Sequence, residues 1–512
     1  MGDRRGVLGW IAAVVLVATV GCGGHAAPQA APPRPQPAKT SAALRDLQAQ
    51  LSSVFAAPIM ARGVWGVHVR SLDRGDVLFS LNGDKLMMPA SNMKILTLAA
   101  TAERLGWGYR FATTLETAGS VADGILSGDL IVRGNGDPTI STRNNRNQAV
   151  FDEWATALRT AGIRSIEGRI IGDDQAFDDE GIGPGWSWDY LDADYAAPIG
   201  ALQYNENTAD LVVAAGAVVG DPAIVQMTPG SGLTLVNRVT TIEAKEGAAG
   251  RGSVNISRRI DRPVIEVSGT IRAGAPALTS TVAVLNPTLF FAQSLKDALI
   301  ARGIAVSGEA VDLDDVAAEL TEGDSSERHT LVSTPSPELR EIANVLMKVS
   351  QNQYAETLLK AIGAARGALG TTNAGRRAAA ETFTAWGIPP DSYVMSDGSG
   401  LSRYDYIAPS TITTILARMH SDPRHREAFE GSLPIAGKDG TMSSRMRRSL
   451  ADGNAVAKTG SIANVRSLSG YVKTRNGETL AFSILANDFV IPAATVNWIA
   501  DLAIEILAAF SR

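Results

Sequence analysis

Apolar periodicity changes twice along this chain, and those changes limit what it can fold into more than any single motif does. Ahead of residue 107 the pattern reads helix, strand, strand, helix. Leu44, Leu47, Leu51 and Val54 recur at spacings of three and four in a run from Ala42, as an amphipathic helix requires. Val64, Val67 and Val69, then Val77, Leu78 and Phe79, flank Asp73-Arg74-Gly75-Asp76, two strands about a tight turn. Ile95, Leu98, Ala99, Ala102 and Leu105 predict a core-facing helix that starts near Ser91. From Trp107 to Thr330 short β-like runs take over, broken by Gly, Asp and Pro; Leu130-Ile131-Val132 and Val264-Ile265-Glu266-Val267 are examples. One clear helix interrupts them, Leu289 to Ile300, after Asn286-Pro287 and before Gly303. Helical stripes return from Ser336, at Ile342, Val345, Leu346 and Val349 and again at Tyr354, Leu358, Leu359 and Ile362. Two later strands, at Val472 and at Leu480 to Leu485, meet across an Asn476-Gly477 hairpin turn. A final helix carries Ile499, Leu502, Ile506 and Ala509 on one face. The pattern predicts a mostly β region with its own core, set between two stretches of a second fold, with room for a nested subdomain.

The N-terminus reads as an export signal. Arg4 and Arg5 precede an uncharged run from Gly6 to Gly21, short for a membrane span and right for a signal peptide. Cys22, the only cysteine, follows Thr19-Val20-Gly21 and precedes Gly23-Gly24, which resembles a bacterial lipoprotein processing site with Thr19 where Leu is usual. On that reading residues 1–21 are removed, Cys22 carries a lipid, and the Ala/Pro/Gln-rich residues 22–40 tether a periplasmic protein to a membrane. An ordinary signal peptide with an incidental cysteine is the alternative. A single cysteine allows no intrachain disulfide. The net charge of −6 comes with no basic block and no alternation of basic and aromatic residues, so nucleic acid is not an expected partner.

Three short stretches could carry chemistry. Ser91 and Lys94 stand one helical turn apart, close enough for the amine to take the hydroxyl proton, provided desolvation or another cation keeps that amine neutral. The bland alternative is a helix cap beside a surface lysine. Ser350-Gln351-Asn352 is a polar break between two apolar helices, either a capping turn or a proton relay with an amide that holds a substrate carbonyl or a lysine. Lys458-Thr459-Gly460-Ser461 lies in a strand-like run, where the lysine and threonine could hold a carboxylate and Gly460 leave room for a ligand along the strand. An ordinary strand end with a solvated lysine is its alternative.

Taken in order, Ser91-x-x-Lys94, Ser350-x-Asn352 and Lys458-Thr459-Gly460 resemble the three motifs of penicillin-recognising serine enzymes. The long β-rich stretch between Lys94 and Ser350 is similar to that of the class C low-molecular-weight penicillin-binding proteins, the D-alanyl-D-alanine carboxypeptidase/endopeptidase family; β-lactamases of the superfamily have a shorter, mostly helical stretch there. Residues 88–94, 134–138, 186–207, 397–403 and 433–446 carry the same likeness, which covers residues 42 to 512. Gln351 stands where Asp is commoner, a departure expected to touch no catalytic role.

The resemblance implies an α+β, transpeptidase/β-lactamase-like domain, an antiparallel sheet packed by helices, made from residues 41–106 and 335–512, with the β-rich insertion at 107–334. It implies Ser91 as the nucleophile on a D-Ala-D-Ala bond, Lys94 as its base and Ser350 as relay to the leaving group, with Asn352 beside them. The amides of Ser91 and Ser461 would form the oxyanion hole, and Lys458, Thr459, Gly460 and Ser461 would line the substrate. Lys458, a like charge near Lys94, is expected to lower that amine's pKa. Peptidoglycan peptides and β-lactams are the implied ligands, with no cofactor and no metal; the five histidines form no ligand set, and His420 and His425 are expected to be solvated in a polar loop. Within Trp186 to Tyr195, Asp189 and Tyr195 are expected to face the site and receive the ammonium end of a diaminopimelate residue, against the alternative of core tryptophans and loop-capping aspartates. A β-lactamase or esterase of the same superfamily, and a catalytically silent peptidoglycan-binding protein, are the competing functions.

Overall fold

The computed structural model describes residues 41–244, 250–317 and 328–512. The expected signal peptide, Cys22 and the tether to residue 40 lie outside the described residues.

Strands from the two ends of the sequence interleave in one five-stranded antiparallel sheet, in the order Val77–Leu81, Val64–Ser71, Thr479–Asn487, Val465–Lys473, Val456–Ile462. Val64 pairs with Asn487 and Ser71 with Leu480, so the first strand is unpaired on one side until the last one arrives. The continuous apolar run at 480–486 follows from burial on both faces. Leu480, Phe482, Ile484 and Ala486 point to one core, with the helices Ala42–Phe55 and Ala493–Ala509. Ala481 and Leu485 point to the other, a helical layer that includes Met93–Leu105, Leu339–Lys348, Asn352–Ala364 and Pro409–Ser421. Met93–Leu105 is the central helix of that layer, buried from Met93 to Ala102. Each of its buried Leu and Ile side chains contributes about 2 kcal/mol of transfer free energy. Its buried hydroxyls are bonded, Thr97 Oγ1 donating to Gly398 O at 2.6 Å.

The closing helix departs from expectation. Val496, Ile499, Ala500, Ala503, Ile504 and Leu507 are buried, whereas Leu502 and Ile506 are half-buried and Ala509 is exposed. The helix fits between the sheet and the helix Ala42–Phe55, so its apolar stripe is broader and turned from the single face that the spacing suggested.

Between the two halves of the sheet sequence, the chain leaves and returns through paired strands. Ala112 pairs with Pro335, and Phe111 and Ser336 bond through their backbones. Ala112–Thr117 and His329–Pro335 belong to a second five-stranded sheet, with Leu130–Gly134, Ile170–Asp173 and Ala310–Asp312. Two helices cover it, Pro287–Ala301 and Arg146–Thr160. Arg146–Thr160 was not expected from the sequence. Its buried Val150, Trp154 and Leu158 recur every four residues, and Asn145 opens it in a left-handed conformation with no side-chain cap hydrogen bond. Strands between Thr208 and Ala283 form two further three-stranded sheets around their own core, and in one of them Thr234–Ile242 runs parallel to Val264–Arg272.

Candidate active site

Close approaches from two sides fix Ser91. It lies in the short turn Ala90–Asn92, which feeds directly into the central helix. Asn92 Nδ2 donates to Lys458 O at 2.9 Å and Ser467 Oγ to Pro89 O at 2.7 Å, tying the turn to the strand Val456–Ile462. A Cβ at Gly460 would meet Pro89 O at 2.8 Å and Ser91 N at 3.0 Å. The glycine therefore admits the Ser91 turn against the strand, a reason beyond the room for a ligand that its position in sequence suggested. Gly400, at φ +83°, does the same from the opposite side, its absent Cβ facing Ala90 O.

Lys94 is fully buried, and its Nζ lies 3.0 Å from Ser91 Oγ, 2.6 Å from Asn352 Oδ1 and 2.8 Å from Ser399 O. A neutral amine has two hydrogens and one lone pair. Asn352 Oδ1 and Ser399 O can only accept, so they take the hydrogens and leave the lone pair to the Ser91 hydroxyl. Burial lowers the Lys94 pKa to about 7, against the opposing pull of the Asp397, Glu356 and Asp405 charges. Burial, rather than the like charge of Lys458, dominates that shift; Lys458, also fully buried, is itself held well below its ordinary value by burial and then by the charge of Lys94.

Lys458 Nζ donates to Ser350 Oγ and to Thr459 O, both at 2.8 Å. Ser350 sits at φ +65°, uncommon for a residue with a Cβ, in the break between the helices Leu339–Lys348 and Asn352–Ala364. Asn352 Nδ2 is held by Tyr195 O at 2.7 Å, which fixes the amide so that Oδ1 faces Lys94.

A cleft of about 460 Å³ opens on these groups, lined by Ser91, Ser350, Asn352, Thr459, Gly460 and Ser461 together with Tyr190, Tyr195, Thr441 and Arg466. Val456–Ile462 is the outer strand of its sheet, and Ala457 N donates off the edge to Pro434 O at 2.9 Å. By the two-residue period of a strand, the N–H groups of Thr459 and Ser461 point off the same edge. Thr459 Oγ1 bonds Thr441 Oγ1 at 2.7 Å. Tyr195 reaches the cleft, stacked edge-on against Tyr190 at 5.6 Å. Asp189 is not among the lining residues; it is exposed, and its carboxylate accepts from Ser187 Oγ.

Sequence reasoning assigned no role to the three carboxylates around Lys94. Asp397 accepts from Gly400 N and Ser402 N, both at 2.7 Å, and from Trp186 Nε1 at 2.9 Å. Glu356 accepts from Gly398 N at 2.9 Å and Ser399 N at 2.7 Å, and so places the Ser399 carbonyl on Lys94. Burial, then the Asp397 charge, raises the Glu356 carboxyl above its usual range. A clue was present: Glu356 lies four residues after Asn352, on the same face of the helix. Nor is His425 solvated as expected. It is buried, accepting from Trp107 Nε1 at Nδ1 (3.1 Å) with Nε2 2.9 Å from Glu103. Glu103, Asp422 and His425 lie within a metal ion's reach of one another, but Trp107 and Arg424 occupy their atoms. Among the described residues no helix is long and apolar enough to cross a membrane.

An antiparallel sheet between helical layers, with two buried lysines and two serines meeting at its edge, defines a transpeptidase/β-lactamase-like fold. The model of the D-Ala-D-Ala carboxypeptidase 3 (S13) family matches residues 47–505. A D-alanyl-D-alanine carboxypeptidase of Actinomadura sp. (strain R39) is 34% identical over 472 residues, 89% of this chain and 83% of that protein. D-alanyl-D-alanine carboxypeptidase DacB of Haemophilus influenzae is 26% identical over 83% of this chain and 85% of the relative. The crystal structure of penicillin binding protein 4 (dacB) from Haemophilus influenzae aligns with a TM-score of 0.74 at 23% identity, covering 89% of this chain and 98% of that one. The chain belongs to the D-Ala-D-Ala carboxypeptidase 3 (S13) family and is a serine-type D,D-carboxypeptidase.

Proposed function

We propose that Ser91 is the nucleophile of this carboxypeptidase and forms an acyl-enzyme with peptidoglycan stem peptides. The observation that carries the reading is the Lys94 amine, with both hydrogens assigned to fixed acceptors and its lone pair facing Ser91 Oγ at 3.0 Å. Ser91 Oγ bonds to the carbonyl carbon of the penultimate D-Ala while its proton passes to Lys94 Nζ. The carbonyl oxygen takes the negative charge and is met by the N–H groups of Ser91 and Ser461, worth about 3 kcal/mol per donor in comparable enzymes. When the C–N bond breaks, the departing amine takes a proton through Ser350 Oγ, which Lys458 holds from behind, and the proton that Lys94 took from Ser91 makes up that loss, so that Lys94 is neutral again. Free D-alanine leaves, and water then releases the acyl chain from Ser91. Thr459 and Ser461 hold the terminal carboxylate. The same route accounts for cleavage of D,D crosslinks and for acylation by β-lactams; the DacB structure of Haemophilus influenzae has also been solved in complex with a β-lactam, with a TM-score of 0.68 to this chain. Tyr190 and Tyr195 supply the apolar wall of the cleft.

The test incubates the purified mature protein with a fluorescent penicillin and, separately, with a D-Ala-D-Ala peptide, beside Ser91→Ala. Label on the wild type that maps to Ser91 and is lost in Ser91→Ala, with D-alanine released by the wild type alone, is the expected result. A wild type that neither labels there nor releases D-alanine refutes the assignment. The remaining superfamily reading, a β-lactamase, is favoured only if penicillin turns over rapidly instead of leaving a long-lived acyl-enzyme. Export with a lipid on Cys22 belongs to the same proposal, supported by the apolar run Gly6–Gly21 before a lone cysteine. Mass spectrometry of the mature N-terminus checks it: cleavage anywhere but before Cys22 removes the anchor.

A further inference from the structure

The middle residue of the second motif, expected to be idle, is bound at both ends of its amide. Gln351 Oε1 accepts from Gln353 N at 3.2 Å and caps the helix Asn352–Ala364. Gln351 Nε2 donates to Glu206 Oε2, across to the β-rich insertion. The other oxygen of Glu206, Oε1, accepts from Arg143 Nε at 2.8 Å and pairs with Arg143 Nη2 at 2.7 Å. Both oxygens of that carboxylate are engaged, and its charge is met. A second link runs alongside: Gln353 Nε2 donates to Gln203 Oε1 at 2.6 Å, and Asn207 Nδ2 reaches the same oxygen at 3.1 Å.

Backbone on both sides of this contact is unusual. Asn205, Glu206 and Asn207 sit at φ +50°, +57° and +55°, and Ser350 at +65°. Non-glycine residues hold the left-handed region only where their surroundings fix it, and a run of three needs several restraints. On the insertion side these are visible: Asn205 Oδ1 accepts from Thr142 Oγ1 at 2.9 Å, and Asn207 Nδ2 donates to Pro198 O at 2.8 Å. On the other side, the residue that follows Ser350 is fixed through Glu206. Were the turn to relax toward the extended region, Ser350 Oγ would swing away from Lys458 Nζ, now 2.8 Å distant.

We propose that Glu206, acting through Gln351, is a positioning residue for acyl transfer: the insertion clamps the turn that carries Ser350 and keeps its hydroxyl on Lys458. The inference rests on the acyl-enzyme reading above. It also gives the insertion a part in the chemistry, besides lining the cleft.

Reversing the polarity of the contact tests it. Gln351→Glu alone sets two carboxylates face to face. In the double variant Glu206→Gln/Gln351→Glu the new amide donates to the new carboxylate, while Gln353 N and Arg143 keep their acceptors. Acylation rates with a fluorescent penicillin are measured for wild type, both single variants and the double variant, each with its melting temperature. Gln351→Glu is expected to acylate about tenfold or more slowly, since displacing a reacting group by about 1 Å costs up to that order or beyond, and the double variant to recover most of the loss. An unchanged rate in Gln351→Glu, or a double variant as slow as the single one, overturns the proposal. If Gln351→Glu does not fold, Gln351→Met removes the donor without adding charge; a wild-type rate there overturns it equally. A wild type that takes no label sinks the acyl-enzyme reading itself, a result distinct from an unaffected Gln351→Glu.

Discussion

Lys94 and Lys458 are both wholly buried, yet their surroundings are opposite in kind. Around Lys94 stand Asp397, Glu356 and Asp405, each of which favours its charged form. Lys458 has no such acid acting on it: a hydroxyl and a carbonyl take its hydrogens, and Lys94 disfavours its charge. Burial alone would drive both amines neutral. The carboxylates around Lys94 bring it back to about 7, where an amine can both take and return a proton at working pH. Lys458, without them, is a donor that faces Ser350 and answers to whatever charge enters the cleft. In the proposed mechanism the difference separates a base from a partner of the leaving group, although both residues are lysines in one site.

The largest expected effect follows from that separation. Lys94→Met removes the base while keeping an unbranched chain of similar length, and acylation should fall by about 10⁴-fold, the upper range for a general base. Lys458→Met leaves Ser91 and its base in place and should cost nearer about 10²-fold. Rates of penicillin acylation for the two variants compare them directly. Equal losses would mean that the lysines act as one unit, since residues that work together show non-additive effects, and the comparison would collapse.

Much of this arrangement was legible in the sequence, and the reasons for the rest are physical. Ser91, Lys94, Ser350, Asn352 and Lys458 could be picked out because each motif is local, and their order supplied what no single one could. The two-faced burial of residues 480–486 was readable as a strand, though not which core each residue served. The segment Asp397–Arg403 was noticed only for its likeness to a family, and the three acids carried no role, because their effect depends on folding onto a helix some three hundred residues earlier. The expectation that Lys458 would set the Lys94 pKa missed the larger cause for a similar reason. Proximity was foreseeable, but burial, which dominates both shifts, is a property of the packed layers. Gly460 was read as room for a ligand because a strand shows two faces, and nothing in the sequence tells which one receives the Ser91 turn.

A smaller effect sharpens the role of the acids. Acylation by the wild type should rise with pH about a midpoint near 7, where Lys94 loses its proton. Asp397 is the strongest of the charges that favour the ammonium form. Asp397→Asn removes that charge, so the Lys94 pKa drops and the rising limb moves to lower pH. The rate on the plateau should also fall, by about tenfold, since Asp397 holds Gly400 N and Ser402 N. The midpoint is the diagnostic reading, and an upward shift would contradict the electrostatic assignment.

Smallest of all should be the effect of Asp405→Asn on the chemistry. Asp405 Oδ1 accepts from Ser396 N at 2.6 Å and Asp397 N at 3.2 Å, while Oδ2 is buried without a hydrogen bond. Burial, then the neighbouring Asp397 charge, raises its pKa well above the carboxylate range, which favours the protonated acid, and an asparagine closely imitates that form. Penicillin acylation at pH 7 should change by less than about twofold, as expected when neither charge nor shape is altered. Stability responds more visibly, and its sign is fixed. In the unfolded chain Asp405 ionises near pH 4, whereas in the fold it keeps its proton to higher pH. Over that window the native state binds more protons, and the wild type loses stability as pH rises from about 4 toward the folded pKa. Asp405→Asn has no such slope. Its melting temperature, compared with that of the wild type at pH 5 and at pH 8, should therefore improve relative to the wild type at the higher pH. A difference that is the same at both would mean that Asp405 ionises in the fold as it does in the unfolded chain.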